Sequence, residues 1–411
     1  MTWRSVGRRL LTVAAFAAAV LGVLAAWADS TPVANLGETR PFALGCALAA
    51  VALLLVRWRW RPRGVPTWIA AGLALVALGW SVDLLAFAYR SEAITFRDGD
   101  VRLSATAFLP HRRGRYPAVV YLHGSGRETR KEFYYQAKLF ARHGIVALAW
   151  DKRGSGASSG KVWAPYAAYA DDAAAAARRL LTLPDVDPTE IGLYGASEGG
   201  WVAVLAAPKI HPAFVIVASA TPLTPAEQVL YQTGEDVRRA GFGPEAVQQA
   251  QALQRRVLDY QRRAAAPADA PDLAKGLEQA SGRPWFPFAK LPHKLWPAED
   301  YAWWRSVMDF DPRPGWRAIR CPVLALGGGR DDRSDARASL DGIAREVAAG
   351  SGAPVTTVLF PEADHPLLEW PLGDHVPPPR WPEGYARTLV CWTRQHTTQP
   401  PTAYCRGWKA P

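Results

Sequence analysis

The chain of 411 residues is predicted to fold as an α/β domain, with a mostly parallel sheet between two helical layers, preceded by transmembrane helices. Three features carry this prediction. Apolar segments crowd the first 90 residues, apolar β-rich runs then alternate with helical patterns, and glycine-rich turns end several of those runs. The composition, 49% hydrophobic with four cysteines, excludes a wholly disordered chain and a disulfide-dense scaffold.

The first 90 residues combine long apolar segments with clusters of arginine. They contain nine Arg, no Lys and three acidic residues, a balance of +6 within the formal net charge of +11. Because a spanning helix needs about 20 apolar residues, we predict three transmembrane helices at about residues 10–27, 42–60 and 66–89. Arginine-rich loops stay in the cytoplasm, so the clusters at 4–9 and 57–63 face inward and the chain after residue 89 faces outward.

The compartment follows from this topology. We expect a bacterial-type inner membrane, with the domain that starts at residue 91 on the outer, periplasmic side. The first segment also resembles a signal peptide, because Ala26-Trp27-Ala28 has the small-x-small pattern of a cleavage site. Its apolar run is longer than is usual for such a peptide, which favours an uncleaved anchor. Residues 91–411 carry only +5 with dispersed arginines, so nucleic acid is not an expected partner.

Strand and helix patterns alternate from residue 91 to about residue 220. Two strands joined by the turn Asp98-Gly99-Asp100 come first, and shorter apolar runs follow with helical patterns between them. Apolar strands that alternate with helices indicate a parallel sheet buried on both faces. The expected strands are 93–97, 101–109, 118–122, 145–150, 191–194 and 214–218, and the expected helices are 132–142, 166–183 and 200–207.

The alternation stops in a tryptophan-rich helical segment and then resumes. We therefore divide the domain into a core of residues 91–220 and 313–400, a helical cap of residues 221–312, and a C-terminal tail of residues 401–411. An insertion between two strands of such a sheet commonly covers the cleft at the strand ends. The later strands are expected at 322–326 and 355–360, and the later helices at 335–348 and 384–395.

Ser197 stands in the pentapeptide Gly195-Ala196-Ser197-Glu198-Gly199, between an expected strand and an expected helix. A G-x-S-x-G sequence in this context forms a nucleophile elbow, a sharp turn that exposes the serine hydroxyl. The glycines are needed because the turn is strained and the helix packs close behind it. A second copy of the pattern, Gly156–Gly160, begins several residues after its strand and opens no helix, so we interpret it as a flexible loop.

The turn His123-Gly124-Ser125-Gly126 follows the third strand and is interpreted as an oxyanion site. A glycine-rich turn in this place directs a backbone N–H at the negative charge that develops when a carbonyl is attacked. We expect Ser125 to supply this N–H, with Gly126 as the alternative, and the N–H of Glu198 to be the second donor. The Glu198 side chain is expected to face the cleft, where it selects a cationic group or caps the helix.

Asp331 and His365 complete the catalytic hypothesis. Asp331 follows a strand and a glycine-rich loop, where it can orient an imidazole, and Asp332 is the alternative. His365 follows the last strand, and an imidazole can exchange a proton with a serine hydroxyl near neutral pH. The later histidines are weaker candidates, because His375 lies in a proline-rich loop and His396 at the end of a helix.

The order Ser197, Asp331, His365 is typical of one of the convergent versions of the catalytic triad. Together with Tyr121–Gly126 and the segment Asp151–Ser158, it makes residues 91–398 resemble an α/β-hydrolase. The resemblance is nearest to the dienelactone-hydrolase-like, acyl-CoA-thioesterase-like and prolyl-oligopeptidase-like members. It implies the α/β-hydrolase fold with a helical cap insertion, while the membrane segments depart from the core pattern.

The expected function is that of a membrane-anchored serine hydrolase, which cleaves carboxyl ester or thioester bonds through an acyl-enzyme on Ser197. Its expected substrates are small or lipophilic acyl compounds, because the cap is rich in tryptophan and lies near the predicted membrane. The alternatives are a peptidase or amidase of the same fold and a catalytically inactive binding protein at the membrane. No cofactor is expected, and the Cys and His spacing does not match a metal site.

The cysteines bear on the compartment as well. Cys391 and Cys405 flank a short proline-containing loop near the C-terminus. If the domain lies outside the cytoplasm, these two residues meet oxidising conditions, and we expect them to form a disulfide. Cys46 lies in a predicted membrane segment and Cys321 at the start of a core strand, so neither has an obvious partner.

Overall fold

The computed structural model describes residues 11–23, 45–52, 71–72, 74–76, 89–264, 266–373, 379–400 and 402–409. Its strands are β1 (Tyr89–Asp98), β2 (Val101–Pro110), β3 (Tyr116–Leu122), β4 (Val146–Trp150), β5 (Val186–Ala196), β6 (Val215–Ala218), β7 (Val323–Gly328) and β8 (Val355–Phe360). They form one sheet in the order β1-β2-β4-β3-β5-β6-β7-β8. The β1–β2 and β2–β4 pairs are antiparallel and the other pairs are parallel, as an α/β-hydrolase fold requires.

Helices connect the parallel strands and form the cap. Those that follow β1 are α1 (Tyr134–Arg142), α2 (Tyr166–Leu180), α3 (Glu198–Ile210), α4 (Pro225–Arg239), α5 (Pro244–Arg263), α6 (Pro271–Ser281), α7 (Ala302–Val307), α8 (Arg313–Ala318), α9 (Ala336–Ala349) and α10 (Tyr385–Gln395). Short 3-10 helices lie at Arg130–Phe133, Pro267–Asp269, Ala298–Tyr301 and Ala403–Cys405.

Alternate residues of β3 point into the two halves of the core. Ala118, Val120 and Leu122 pack in a cluster that includes residues of α2, α3 and α9. Val119 and Tyr121 pack in a second cluster, with residues of α1 and α10. Because successive side chains of a strand point to opposite faces, an unbroken apolar run such as this one needs helices on both sides of the sheet. The predicted mostly parallel, doubly covered sheet is confirmed.

The segment between β6 and β7 is helical, as its sequence indicates. Helices α4, α5 and α6 have an apolar core of their own, in which Val257, Leu277 and Trp285 are buried. A second, smaller apolar cluster within this segment contains Ala226, Leu258 and Met308. A capping box starts α4, with the Thr224 hydroxyl accepting the N–H of Glu227.

The transmembrane prediction for residues 10–27, 42–60 and 66–89 is not supported by the described residues. Residues 11–23, 45–52, 71–72 and 74–76 are helical. No described helix is long and apolar enough to cross a membrane. Tyr89, the last residue of the third predicted span, begins β1, and the other remaining residues of the three spans lie outside the described residues.

The disulfide predicted from the sequence is present. Cys391 of α10 is bonded to Cys405 of the last 3-10 helix, across 14 positions of sequence. The bond ties the C-terminal tail to the helix that packs on the α1 side of the sheet. Within the described part of the chain, Cys46 and Cys321 are free.

Candidate active site

Ser197 occupies the turn between β5 and α3, with φ 51° and ψ −115°. A positive φ at a residue other than glycine costs about 1–3 kcal/mol and persists only where the surroundings impose it. Close packing imposes it here. A Cβ on Gly195 would lie 2.4 Å from the Gly199 carbonyl oxygen, and a Cβ on Gly199 would lie 2.3 Å from that of Leu122. The pattern therefore forms the expected elbow, because α3 begins directly against the sheet.

The three predicted catalytic side chains form one hydrogen-bonded chain. His365 Nε2 lies 2.9 Å from Ser197 Oγ, and His365 Nδ1 lies 2.8 Å from Asp331 Oδ2. Since a carboxylate only accepts, the proton of the ring lies on Nδ1, and Nε2 is free to accept the serine proton. The Asp331 carboxylate also accepts the backbone N–H groups of Arg333 and Ser334, at 2.7 and 3.2 Å. These bonds hold the carboxylate against the ring.

The structure also places the alternative residues. Asp332 is half-buried beside Asp331, but it is Asp331 that contacts the His365 ring. His396 lies at the end of α10, where its Nδ1 is 2.8 Å from the Trp392 carbonyl oxygen of the same helix. His375 lies outside the described residues. The ends of β5, β7 and β8 bring Ser197, Asp331 and His365 together because neighbouring parallel strands end at one edge of the sheet.

A cavity of about 360 Å³ opens beside Ser197 and His365. This volume is typical of sites that hold a small molecule. Apolar and charged side chains both line it. The apolar ones include Phe133, Tyr194, Pro366, Leu368 and Trp381, and the charged ones are Glu128, Glu132 and Arg333.

The cap contacts the acid of the triad and not this cavity. Of the described residues between 221 and 312, none lines the cavity beside Ser197. Instead, Arg239 at the end of α4 donates to the backbone carbonyl of Asp331 at 2.8 Å and to that of Arg330 at 3.1 Å. The Arg239 guanidinium is paired with Glu235, whose Oε1 lies 2.6 Å from Arg239 Nε. The cap thus supports the loop that carries the acid, which the sequence did not indicate.

The Glu198 side chain does not face the cleft, contrary to our expectation. It is buried beneath the turn 123–126, where its carboxylate lies 2.6 Å from Lys152 Nζ and accepts the Ser125 hydroxyl at 3.0 Å. Burial raises the pKa of Glu198, and the Lys152 ammonium and the Ser125 hydroxyl oppose this rise. Its backbone N–H lies in the first turn of α3, where amide groups have no acceptor within the helix. That N–H is available to an oxyanion.

Two further groups beside the turn have shifted pKa values. Burial, with the Lys152 charge as a second cause, lowers the pKa of His123 to about 3. The neutral ring lies with Nε2 at 2.6 Å from the Trp150 carbonyl oxygen, so Nε2 carries its proton. Burial raises the pKa of Glu128 to about 7, with Lys152 and the Gly124 N–H opposing the rise. The Gly124 N–H donates to this carboxyl group at 2.8 Å.

The second G-x-S-x-G copy is a firmly held loop, and our expectation of a flexible one was wrong. The Ser158 hydroxyl donates to the Asp151 carbonyl at 2.7 Å and accepts the N–H of Ser104 in β2 at 3.0 Å. The Asp151 carboxylate accepts the Ala157 N–H at 2.8 Å and the Arg130 guanidinium, also at 2.8 Å. These bonds therefore anchor the loop to Asp151 and to β2.

Comparison with known proteins agrees with this geometry. The family described as X-Pro dipeptidyl-peptidase (S15 family) matches residues 98–341, which is more than half of the chain. The matched region includes Ser197 and Asp331, while His365 lies beyond it. No curated protein matches the chain.

Solved structures of low sequence identity also resemble this chain. Proline iminopeptidase from Mycobacterium smegmatis is 15% identical, with a TM-score of 0.48, and the match covers 74% of this chain and 98% of that one. A thermophilic esterase from Thermogutta terrifontis is 20% identical, with a TM-score of 0.44 and coverage of 75% and 100%. An α/β hydrolase from Penicillium sp. sh18 is 17% identical, with a TM-score of 0.45 and coverage of 75% and 99%.

The family match and the fold converge. The match runs from the last residue of β1 through the elbow and the acid loop into α9. The chain belongs to the X-Pro dipeptidyl-peptidase (S15) family, and it is a serine hydrolase of the α/β-hydrolase fold.

Proposed function

We propose that this serine hydrolase transfers the acyl group of a carboxyl ester or thioester to water through an acyl-enzyme on Ser197. The observation that carries the proposal is the continuous hydrogen-bonded chain from Ser197 through His365 to Asp331, at the wall of a cavity of about 360 Å³. A small acyl compound fits a cavity of this size.

The geometry supports a defined sequence of proton transfers. Ser197 Oγ attacks the carbonyl carbon while His365 Nε2 accepts the hydroxyl proton, and Asp331 stabilises the imidazolium that forms. The backbone N–H groups of Ser125 and Glu198 stabilise the oxyanion of the tetrahedral intermediate. His365 then protonates the leaving alcohol or thiol, which leaves the acyl group on Ser197. A water molecule, deprotonated by His365, releases the acid.

A peptidase is the second candidate, and two observations favour it. The chain matches the S15 family, whose description names X-Pro dipeptidyl-peptidase. The carboxyl groups of Glu128 and Glu132 line the cavity beside Ser197, where they suit a substrate with a free amino group. Cleavage of an amide would use the same residues, with His365 protonating the departing amine.

The place of action is a separate proposal. We propose that residues 1–90 hold the protein at a bacterial-type inner membrane, with the catalytic domain outside. The disulfide between Cys391 and Cys405 supports an oxidising compartment. In the described N-terminal helices, Ala19, Ala50 and Ala74 pack together while larger apolar side chains are exposed, a distribution typical of helices in lipid. The exposed side chains are Val13, Phe16, Leu21, Leu48, Leu75 and Val76.

A fluorophosphonate probe tests the serine hydrolase chemistry. The full-length protein should be labelled, and Ser197→Ala should abolish labelling. Ser158→Ala is the matched control, because Ser158 stands in the second copy of the same pattern and should leave labelling intact. Equal labelling of the Ser197→Ala protein would remove Ser197 as the nucleophile. A panel of esters, thioesters and X-Pro amides then separates the two candidates by kcat/KM.

Two fusions test the location. Alkaline phosphatase joined after residue 411 should be active in bacterial cells, and green fluorescent protein at the same position should stay dark. The protein should remain in the membrane fraction after a carbonate wash. Fluorescence of the second fusion, with no phosphatase activity of the first, would contradict the outward orientation.

A further inference from the structure

We infer that Lys152 is a positioning residue of the oxyanion site, which fixes the peptide unit that carries the Ser125 N–H. The inference rests on the proposed acyl transfer and deepens it. Lys152 is buried and lies two residues after β4, away from the three triad residues in sequence. Neither the elbow pattern nor the triad order assigns it a role.

Lys152 orients the peptide bond between Gly124 and Ser125. Lys152 Nζ donates to the Gly124 carbonyl oxygen at 2.7 Å. That carbonyl and the Ser125 N–H belong to the same trans peptide unit, so they point in opposite directions. Gly124 and Ser125 both line the cavity beside Ser197. When the buried ammonium holds the carbonyl toward the interior, the N–H is directed to the cavity side.

Lys152 and Glu198 also link the two oxyanion donors. Glu198, whose backbone N–H is the other donor, lies with its carboxylate 2.6 Å from Lys152 Nζ and accepts the Ser125 hydroxyl at 3.0 Å. Lys152 and Glu198 thus connect the turn 123–126 to the first residue of α3. The connection sets the separation of the two N–H groups before any substrate binds, which is the preorganisation that oxyanion stabilisation requires.

Burial of the Lys152–Glu198 ion pair costs free energy. Lys152 and Glu198 are each 2% exposed, and Lys152 Nζ lies 4.4 Å from the centre of the Tyr169 ring. A buried ion pair is seldom more stabilising than apolar residues of the same volume, because both charges lose their hydration. Stability alone therefore gives little reason for a lysine here. The need to orient the Gly124 carbonyl explains why a lysine stands at this position.

The rest of the turn has its own supports. The Gly124 N–H donates to Glu128 at 2.8 Å, and His123 Nε2 lies 2.6 Å from the Trp150 carbonyl oxygen. Neither of these bonds involves Lys152. Loss of Lys152 therefore releases one peptide unit and leaves the turn in place.

The experiment compares full-length variants with an ester substrate that the wild-type protein hydrolyses. Lys152→Met alone leaves the Glu198 charge buried without a partner and is expected to lower Tm. The double variant K152M/E198Q removes both charges and keeps an acceptor for the Ser125 hydroxyl, so it separates folding from positioning. The control is K209M/D171N, which removes an exposed lysine–carboxylate pair, 2.8 Å apart, between Asp171 of α2 and Lys209 of α3.

We expect the double variant to recover a Tm near that of the wild type but to lose about 100-fold in kcat, as when one oxyanion donor is removed. KM should change by less than about threefold, because the donor acts on the transition state. The affinity for a trifluoromethyl ketone, which mimics the tetrahedral intermediate, should fall by about the same factor as kcat/KM. The control should keep the wild-type values.

Three results would overturn the inference in different ways. A folded double variant with kcat within about twofold of the wild type would show that Lys152 only supports the structure. A wild-type protein that hydrolyses no ester, thioester or amide, or whose activity survives Ser197→Ala, would overturn the proposed function and the inference together. A loss of kcat in the double variant with unchanged ketone affinity would also contradict it.

Discussion

Two copies of one five-residue pattern lie in this domain, and their serines have different surroundings. Ser197, in Gly195–Gly199, has φ 51°, and its Oγ lies 2.9 Å from His365 Nε2. The Ser158 hydroxyl, in Gly156–Gly160, donates to the Asp151 carbonyl oxygen at 2.7 Å and accepts the Ser104 N–H at 3.0 Å. One hydroxyl faces a proton acceptor at a cavity, and the other is used within the loop.

The difference teaches that position in the sheet, and not the pattern, decides the chemistry. The Gly195–Gly199 turn ends β5, which pairs with β3 and β6 at the centre of the sheet, and α3 begins at once. The loops after β3, β7 and β8 therefore surround Ser197 with the other groups that acyl transfer needs. The second copy follows β4, on the far side of β3 from the histidine, and no helix starts within it.

The largest expected effect is the loss of kcat when the serine of one copy, and not of the other, is replaced. Ser197→Ala should lower kcat for ester hydrolysis by about 10⁴-fold to 10⁶-fold, because the nucleophile is lost while binding remains. Ser158→Ala should change kcat by less than about fivefold, since its hydroxyl only holds the loop. Steady-state kinetics on both proteins measures the ratio. Comparable losses in the two variants would contradict the assignment.

The next largest effect concerns the acid. Asp331→Asn should lower kcat by about 10⁴-fold with little change in Tm, because the amide favours the wrong imidazole tautomer. Asp332→Asn is the matched control and should keep nearly full activity, because the His365 ring contacts Asp331. Activity and thermal unfolding should be measured on both proteins. A larger loss of kcat in the Asp332 variant would show that Asp332, and not Asp331, is the acid of the triad.

A third effect tests the packing that distinguishes the two copies. Gly199→Ala should lower the free energy of unfolding by about 3 kcal/mol or more, because the new Cβ meets the Leu122 carbonyl oxygen and overpacks the site. In the second copy, Gly160→Ala meets only side-chain atoms, the nearest 3.3 Å away at Val101, and is strained by its φ of 94°. It should cost about 1–2 kcal/mol. Urea unfolding measures both, and equal costs would count against the packing argument.

The smallest effect is a pH dependence of stability. Glu128 lies beside the Ser197 cavity, and burial raises its pKa from 4.5 to about 7. The folded state therefore holds this proton between about pH 4.5 and 7 while the unfolded state has lost it, so this contribution to stability falls as pH rises through that window. Glu128→Gln should flatten the fall, as seen in the free energy of unfolding across that range.

Asp151 provides the contrast beside the second copy. Burial favours its neutral form, but the hydrogen bonds from Arg130 and Ala157 and the Arg130 charge together outweigh burial and lower the pKa of Asp151. Its contribution to stability is therefore present above the unfolded pKa and is lost as pH falls.

A stability profile that Glu128→Gln leaves unchanged between about pH 4.5 and 7 would show that the Glu128 carboxyl is solvated in the folded protein.

Much of the core was predictable because strand burial and strand ends leave local signals. The apolar run of β3, the turn at Gly99 between β1 and β2, and the order Ser197, Asp331, His365 are all visible in the sequence. The Glu198 side chain was misplaced because its burial depends on Lys152, which is 46 positions away. The contact of Arg239 with the acid loop spans 92 positions and has no sequence signal either.

By itself, the sequence determined the alternation of strands and helices, the residue types that acyl transfer needs, and the pairing of Cys391 with Cys405. These depend on local periodicity, on glycine at a tight turn and on a short loop, which neighbouring residues specify. Only the tertiary structure decided which copy of G-x-S-x-G faces the histidine, and where the Lys152 and Glu198 charges lie. Those outcomes depend on contacts between distant segments, because hydrogen bonds and burial of charge are set where strands and helices meet.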